Sequence, residues 1–400
     1  VWTSPGVVLD GTIDDPNTGD QLQPQLATQA SGVDRALAVA EAIDHKRRWA
    51  TTAVDARSAI LEDIAAGLAA RVDELAYEDA MATGNAITVS RKMAAYIGPR
   101  VSSARRQLGE VGVLQDLSQD GRPVTLLRRP LGPAVVLAPW NAPTFVAVAK
   151  VASALAAGCP VILKPSEWAP AGCQIVAEVV HEALARHGAP AGAFQIVHGA
   201  STVGSQLASD ARVKAISFTG GGPAGRAVAI AAAPHFTALQ LELGGHNPAI
   251  VLPDADLRAT AAALVDGMTK LNGQWCEAPG KVLVQESFHD ALVGALLDEL
   301  GALTIGHCLD EDTDVGPMAY RVHLQRLQAG IAELTDAGGQ ALTNSALPDL
   351  PGWFLAPTLV TGLDASRSIH ELFGPVITVH SVASVGDAVT AAAGPETGLA

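Results

Sequence analysis

The stretch GPAVVLAPWNAPTFVAVAKVASALAAGCPVILKPSE, Gly132 to Glu167, decides the fold class. Ala134 to Ala138 is an apolar run that ends in a proline-flanked loop. Phe145 to Ala157 then places small and apolar residues at helical spacing. Pro160 to Lys164 is a second short apolar run. Strands buried on both faces read as continuous apolar runs, and joining them through helices gives a parallel sheet covered on both sides. The alternation continues downstream with a helix over Ile175–His187 and strands over Phe194–His198 and Val213–Phe218. A helix over Ala224–Ala233 and a strand over Leu239–Leu243 complete the series. A second series opens after Gly244 and Gly245. It has strands at Ala249–Leu252 and Lys281–Gln285, helices at Leu257–Leu271 and Phe288–Leu303, and a late strand at Val376–Val382. Upstream, Val33 to Ala82 reads as two long amphipathic helices. Leu114 to Leu127 reads as a hairpin arm outside the main sheet, because Asp120-Gly121 between short alternating segments is a strong turn signal.

With 400 residues, the chain has room for two or three domains at roughly 100–200 residues each. Hydrophobic residues make up 48% and charged residues 17%. The usual charged share is about 25%, so the composition is that of a core-rich globular protein. The net charge of −15 opposes any grip on a phosphate backbone, and no nucleic-acid partner is expected. No uninterrupted apolar run reaches the roughly 18 residues a membrane helix needs. Val1 to Asp10 lacks the basic and apolar blocks of a secretory leader. Cys159, Cys173, Cys276 and Cys308 form no CxxC pair and no metal-ligand spacing with histidine. They read as reduced thiols of a cytoplasmic protein without a metal.

Several loops at strand ends carry polar residues suited to chemistry. Gly220, Gly222 and Gly225 fit G-x-G-x-x-G between a strand and a helix, where backbone amides and the helix N-terminus favour phosphate. Taken alone, the same glycines also suit a tight turn. Dinucleotide sites place a ribose-binding acid about 20 residues further on, and Glu242 is close to that position. Asn141 stands between Pro139 and Pro143 in a stiff loop, where it could donate to an oxyanion or bond its own backbone. Lys164, Ser166 and Glu167 end a strand and suit a nucleotide ribose or a solvated ion pair. Cys276 follows a glycine-containing loop, and a lone cysteine there is a nucleophile or a small buried hydrophobe. Glu371 and Phe373 precede the Gly374-Pro375 turn.

Taken in order, these motifs resemble the NAD(P)-dependent aldehyde dehydrogenase superfamily. They are Asn141, Lys164 to Glu167, Gly220 to Gly225, Glu242 to Gly245, Gly273-Gln274-Trp275-Cys276 and Glu371 to Pro375. The resemblance implies an α/β fold with a Rossmann-like, parallel-sheet cofactor domain (1–108 and 131–243). A β-hairpin oligomerisation arm (109–130) and an α/β catalytic domain (244–400) complete it. It implies oxidation of an aldehyde to a carboxylic acid by NAD, with NADP a second possible cofactor, in a homodimer or homotetramer. Cys276 would be the nucleophile, Glu242 the base that activates water, and Asn141 the oxyanion donor beside the Cys276 N–H. Glu167 replaces Glu242 as the ribose acid, with Lys164 and Ser166 beside it. Trp140, Gly220, Gly221, Gly225, Glu371 and Phe373 would complete the cofactor site.

Some positions depart from the family pattern. Gly221 stands where serine is common, and His246 where lysine is frequent. Trp275 before the nucleophile should narrow the pocket. Glu277 after it should raise the thiol pKa or meet a polar substrate, so a small or polar aldehyde is expected. Thr397 to Ala400 match a point well short of the family's usual end, so the sequence reads as truncated. A coenzyme A-acylating enzyme and a non-catalytic scaffold are the competing readings. Retention of Glu242 disfavours the first, and retention of Cys276, Asn141 and Glu242 together disfavours the second.

Overall fold

The computed structural model describes residues 6–367 and 370–394. Thr397 to Ala400 and the first residues of the Val1–Asp10 segment lie outside the described residues. The chain folds into two compact units. One comprises Val1–Ile13, Gln23–Asp79 and Ser90–Glu242; the other comprises Asp14–Leu22, Ala80–Val89 and Leu243–Ala400.

The first part of the chain forms a two-stranded sheet, β1 (Val7–Asp14) and β2 (Gln21–Ala27), then five helices. These are α1 (Ala30–His45), α2 (Val54–Ala69), α3 (Val72–Thr83), α4 (Ile87–Ala95) and α5 (Ile97–Val111). The two helices expected over Val33–Ala82 are therefore three. Arg47 turns left-handed after α1 (φ 52°), and Ala70-Arg71 separate α2 from α3. Strands β3 (Leu114–Asp116) and β4 (Thr125–Leu127) pair antiparallel as the expected hairpin. Asp120 and Gly121 both take positive φ (49° and 76°), as a two-residue type I′ turn requires.

The main sheet of this unit holds β5 (Ala134–Leu137), β6 (Val161–Lys164), β7 (Phe194–Ile196), β8 (Ala215–Gly220) and β9 (Ala238–Leu243). Its spatial order is β7-β6-β5-β8-β9, and β7, β6, β5 and β8 run parallel. Helices α6 (Pro143–Ala157), α7 (Ala171–Arg186), α8 (Ser201–Ala208) and α9 (Gly222–Ala232) cover it. On one face Val135, Leu137, Ile162 and Ile216 pack with Leu37 of α1, Leu207 of α8 and Val228 of α9. Chain order reverses between β5 and β8, and ligands of such sheets bind in the crevice beyond the strand ends at that point. The Trp140-Asn141 loop follows β5, and the Gly220–Gly222 loop follows β8.

The second unit is built on β10 (Asn247–Val251), β11 (Pro279–Gln285), β12 (Gln340–Leu342), β13 (Thr358–Thr361) and β14 (Val376–Val382). Its order is β10-β11-β14-β13-β12; only β12 is antiparallel to its neighbour. Helices α10 (Leu257–Thr269), α11 (Glu286–Gly301), α12 (Arg321–Asp336) and α13 (Val385–Ala392) pack with it. Val282, Val284, Ile377 and Val379 form its core with Leu264, Met268, Leu292 and Leu296.

Candidate functional site

In the first unit, the predicted residues fall at strand ends. Asn141 is buried and Trp140 half-buried. Pro143 opens α6 at its first turn, where the missing N–H costs nothing, and Gly158 closes the helix in a left-handed conformation (φ 86°). The hydroxyl of Thr144 in that first turn donates to Asp79, a fully buried carboxyl on α3. Burial pushes Asp79 up to about 7, against the opposing effect of the Thr144 bonds. The buried pair ties the start of α6, three residues beyond Asn141, to α3.

This pair gives a signed pH prediction. A carboxyl whose folded pKa exceeds its unfolded value stabilises fully below the unfolded value and loses that contribution as pH rises through the folded value. For Asp79 the window runs from about 4 to above 7, worth on the order of 4 kcal/mol by pH 8. Asp79→Asn should flatten this part of the stability–pH curve in urea melts at several pH values. An unchanged slope would contradict the assignment.

Lys164 ends β6 and is buried, which lowers its pKa; the Glu167 carboxylate works the other way. Its Nζ donates to the Pro165 carbonyl at 3.0 Å and stands 3.8 Å from Glu167. Ser166 Oγ accepts from the Trp168 N–H at 3.3 Å and donates to Glu167 at 3.5 Å. Gly221 caps α9 and Pro223 lies in its first turn, which has no acidic residue. A side chain at Gly222 would meet nothing within 4 Å, so the loop presents open backbone. Gly225 is buried in α9. Glu242 is half-buried near the end of β9 and accepts from Gln240 Nε2 at 3.3 Å. Lys150 on α6 was not expected in the site. Its Nζ donates to the Phe218 carbonyl at 3.3 Å, and burial lowers it to about 8 against the opposing charge of Glu242. Its sequence signal was a lone lysine in an apolar helix.

In the second unit, Cys276 follows three consecutive left-handed residues: Leu271 (φ 51°), Asn272 (φ 56°) and Gly273 (φ 73°). A branched leucine there is strained and persists only where surrounding contacts over-determine it. Three buried amides supply those contacts. Asn272 Nδ2 donates to the carbonyls of Gly84 (2.8 Å) and Pro317 (3.0 Å), and its Oδ1 accepts from the Gly316 N–H (3.0 Å). Gln274 Nε2 donates to the Thr83 carbonyl (2.9 Å), and its Oε1 accepts from the Ala319 N–H (3.0 Å). Asn247 Nδ2 donates to the carbonyls of Cys276 (2.8 Å) and Ala278 (3.0 Å). The sequence alone assigned no role to these side chains.

Gly273 lies against the backbone of Gly374 and Pro375, and Gly244 against the Glu371 carboxylate; a Cβ fits at neither. Burial pushes Glu371 up to about 7, with a Gly245 N–H bond opposing. Phe373 takes φ 60°, and its carbonyl accepts from His323 Nε2 at 2.9 Å. Gly245, His246, Trp275, Glu371 and Phe373 are among the residues lining a narrow, open cleft. Burial lowers His246 to about 4, so the imidazole carries no charge at neutral pH. Glu277 is exposed.

Of the four cysteines, all among the described residues, Cys276 alone is not buried. Burial raises the thiol pKa of Cys159 and Cys173 and pushes Cys308 up to about 12. Cys308 Sγ also accepts from Asn17 Nδ2 at 3.2 Å. Among the described residues, no group of three or more His, Cys, Asp or Glu could hold a metal ion, and no helix is long and apolar enough to cross a membrane.

Residues 11–400 match the model of the aldehyde dehydrogenase family. The chain is 32% identical to succinate-semialdehyde dehydrogenase of Paenarthrobacter nicotinovorans over 383 residues, covering 94% of this chain and 84% of that one. It is 31% identical to betaine aldehyde dehydrogenase of Cereibacter sphaeroides over 389 residues, covering 96% and 79%. Among solved structures, aldehyde dehydrogenase C of Pseudomonas syringae, complexed with NAD+ and octanal, superposes with a TM-score of 0.91. That match has 29% identity and covers 99% of this chain and 81% of that one. Glyceraldehyde-3-phosphate dehydrogenase of Methanocaldococcus jannaschii, complexed with NADP, gives 0.90 at 28% identity over 98% and 84%.

Proposed function

The chain belongs to the aldehyde dehydrogenase family, and on that premise we propose that it oxidises an aldehyde to a carboxylic acid through covalent chemistry at Cys276, with NAD as its cofactor. The observation that carries this reading is that Cys276, in a strained loop held by Asn247, Asn272 and Gln274, is partly exposed, while the other three cysteines are buried.

The residues present fit the cofactor. The open glycine backbone at the start of α9, free of acidic side chains in its first turn, suits a pyrophosphate. Glu167 and Lys164 suit a ribose, with Ser166 beside them. Glu371 and Phe373 border the cleft beside Trp275 and suit the nicotinamide end, and Trp140 suits a wall of the site. When bound, NAD supplies the hydride acceptor. The Cys276 thiolate attacks the carbonyl carbon, a C–S bond forms, and the carbonyl electron pair moves onto oxygen. Asn141 and the Cys276 N–H stabilise that oxygen. Loss of the substrate's hydride leaves a thioester on Cys276. Glu242 takes a proton from water, which attacks the thioester carbon, releases the acid and returns the thiol.

Glu167 sets the cofactor preference. A carboxylate beside the ribose accepts from its hydroxyls and repels a 2′-phosphate, a like-charge juxtaposition that is costly. kcat/KM for NAD should exceed that for NADP by at least about tenfold. Parity between the two, or a preference for NADP, would contradict this role.

We assign residues 131–243 with the N-terminal segments to cofactor binding, 244–400 to catalysis, and the 109–130 hairpin to contact with a second copy. Leu114, Leu117, Val124 and Leu127 of the hairpin are exposed, and such a surface is suited to burial against a partner. The overall reaction is tested by following NADH and acid release with a panel of aldehydes, without coenzyme A. Equal amounts of both products are expected. Product formation only after coenzyme A is added would favour acyl transfer to a thiol instead.

A further inference from the structure

Helix α6 begins without a cap of its own. Ala142 holds the N-cap position and makes no side-chain cap bond, and Pro143 opens the first turn. The acceptor comes from another helix instead. The buried Asp79 carboxyl on α3 accepts from both the backbone N–H and the hydroxyl of Thr144, the second residue of α6. A carboxylate suits this place, because the first N–H groups of a helix lack partners within it and its N-terminus favours negative charge. Helix α7 closes the junction from a third side. A Cβ on its second residue, Gly172, would collide with Thr144 Cγ2 and Asp79 Oδ1, so α7 packs flat against the pair. From Thr144 back to Asn141 the chain has little freedom to absorb a shift. Pro143 has a fixed φ, and its ring also restricts Ala142. On the other side of the loop, the Ala138 N–H donates to the Lys164 carbonyl at 3.0 Å and pins the end of β5. The loop that presents Asn141 is thus held at both ends, by the sheet and by Asp79.

We propose that Asp79 is a positioning residue for the reaction: by capping α6 through Thr144 it fixes the first turn of that helix, and with it the direction in which Asn141 presents its amide. This rests on the reading of Asn141 as the oxyanion donor. Asp79 itself takes no part in the chemistry and acts only through Thr144 and the stiff segment that joins it to Asn141. A reacting group misplaced by about 1 Å can lose on the order of 100-fold in rate. Loss of the cap can therefore be felt at the oxyanion while the fold and the cofactor-binding loops stay intact.

Three variants separate positioning from folding. Asp79→Leu keeps the size of the side chain and removes the acceptor. Asp79→Asn keeps an acceptor oxygen. Thr144→Val keeps the shape and removes only the hydroxyl bond, so it carries the test if Asp79→Leu does not fold. Fluorescence titration with NADH counts intact cofactor sites, and kcat/KM for the aldehyde is expressed per intact site. That value should fall by about 10- to 100-fold in Asp79→Leu and by about 3- to 10-fold in Thr144→Val, with the KM for NAD within about twofold of native. Asp79→Asn should stay within about threefold of native. In an Asn141→Ala background the penalties of Asp79→Leu and Thr144→Val should vanish, because the donor they orient is gone. Native kcat/KM in both variants, a loss explained by fewer intact sites, or a penalty of the same size in Asn141→Ala would overturn the proposal. Hydrogen–deuterium exchange without substrate or cofactor supplies a readout independent of turnover. The peptide spanning residues 138–146 should exchange faster in Asp79→Leu and Thr144→Val and at the native rate in Asp79→Asn; native exchange in all three would also overturn it. If no aldehyde yields NADH, the reading of the reaction fails by itself, and the exchange data still decide whether Asp79 holds the Asn141 loop.

Discussion

Cys276→Ala is expected to abolish aldehyde-dependent NADH formation, lowering kcat by at least about 10⁴-fold. The hydride leaves only after the carbonyl carbon has become tetrahedral, and the sulfur is what makes it so. Alanine leaves in place the bonds by which Asn247 and Gln274 hold the loop through backbone atoms. Cofactor affinity should therefore stay within a few-fold of native, which fluorescence titration with NADH would show. Iodoacetamide provides the complementary measurement. The intact protein should be alkylated at Cys276, while Cys159, Cys173 and Cys308 react only on unfolding, because they are buried and their thiolates are disfavoured. Retention of substantial activity in Cys276→Ala, or first labelling at a buried thiol, would rule out Cys276 as the nucleophile.

Glu242→Gln is expected to separate the two halves of the reaction. Steady-state kcat should fall by about 10²- to 10⁴-fold, the range typical for loss of a general base. The first turnover should survive, giving a burst of NADH close to one equivalent per site in stopped flow. The KM for NAD should barely move, since Glu167 and Lys164 are the groups assigned to the ribose. The substitution preserves the bond from Gln240 in shape, so the end of β9 has little reason to rearrange. Loss of the burst, or a raised cofactor KM with kcat intact, would return Glu242 to the ribose site that simple spacing from the glycine loop suggests.

The parallel-sheet units were legible because their strands, such as Ala134–Leu137 and Val161–Lys164, are short apolar runs buried along their whole length. The hairpin was legible because Asp-Gly tolerates two successive positive φ values. Helix α12 was not, since it buries only His323, Leu327 and Leu334, a stripe too sparse to stand out from a polar helix. Strand β12 is three largely exposed residues, and α13 is eight residues long. At the site, the thiol and the strand-end polar residues could be read from local context. The amides that hold the thiol's loop could not. Asn272 and Gln274 reach carbonyls and N–H groups near residues 83–84 and 316–319, and no local pattern encodes a contact across such separations. Asp79 and Lys150 show the same limit: each is one charge in a helix until burial reveals how far its pKa has moved.

On the proposed route, the substrate's acyl group passes through the sulfur of Cys276 and leaves by water that Glu242 activates. The most direct test is mass spectrometry of Glu242→Gln, quenched in acid after one turnover with an aldehyde and NAD. The predicted product is the protein heavier by the aldehyde less two hydrogens, with the added mass on the peptide containing Cys276. NADH formation with no adduct, or with the adduct on another residue, would contradict that route.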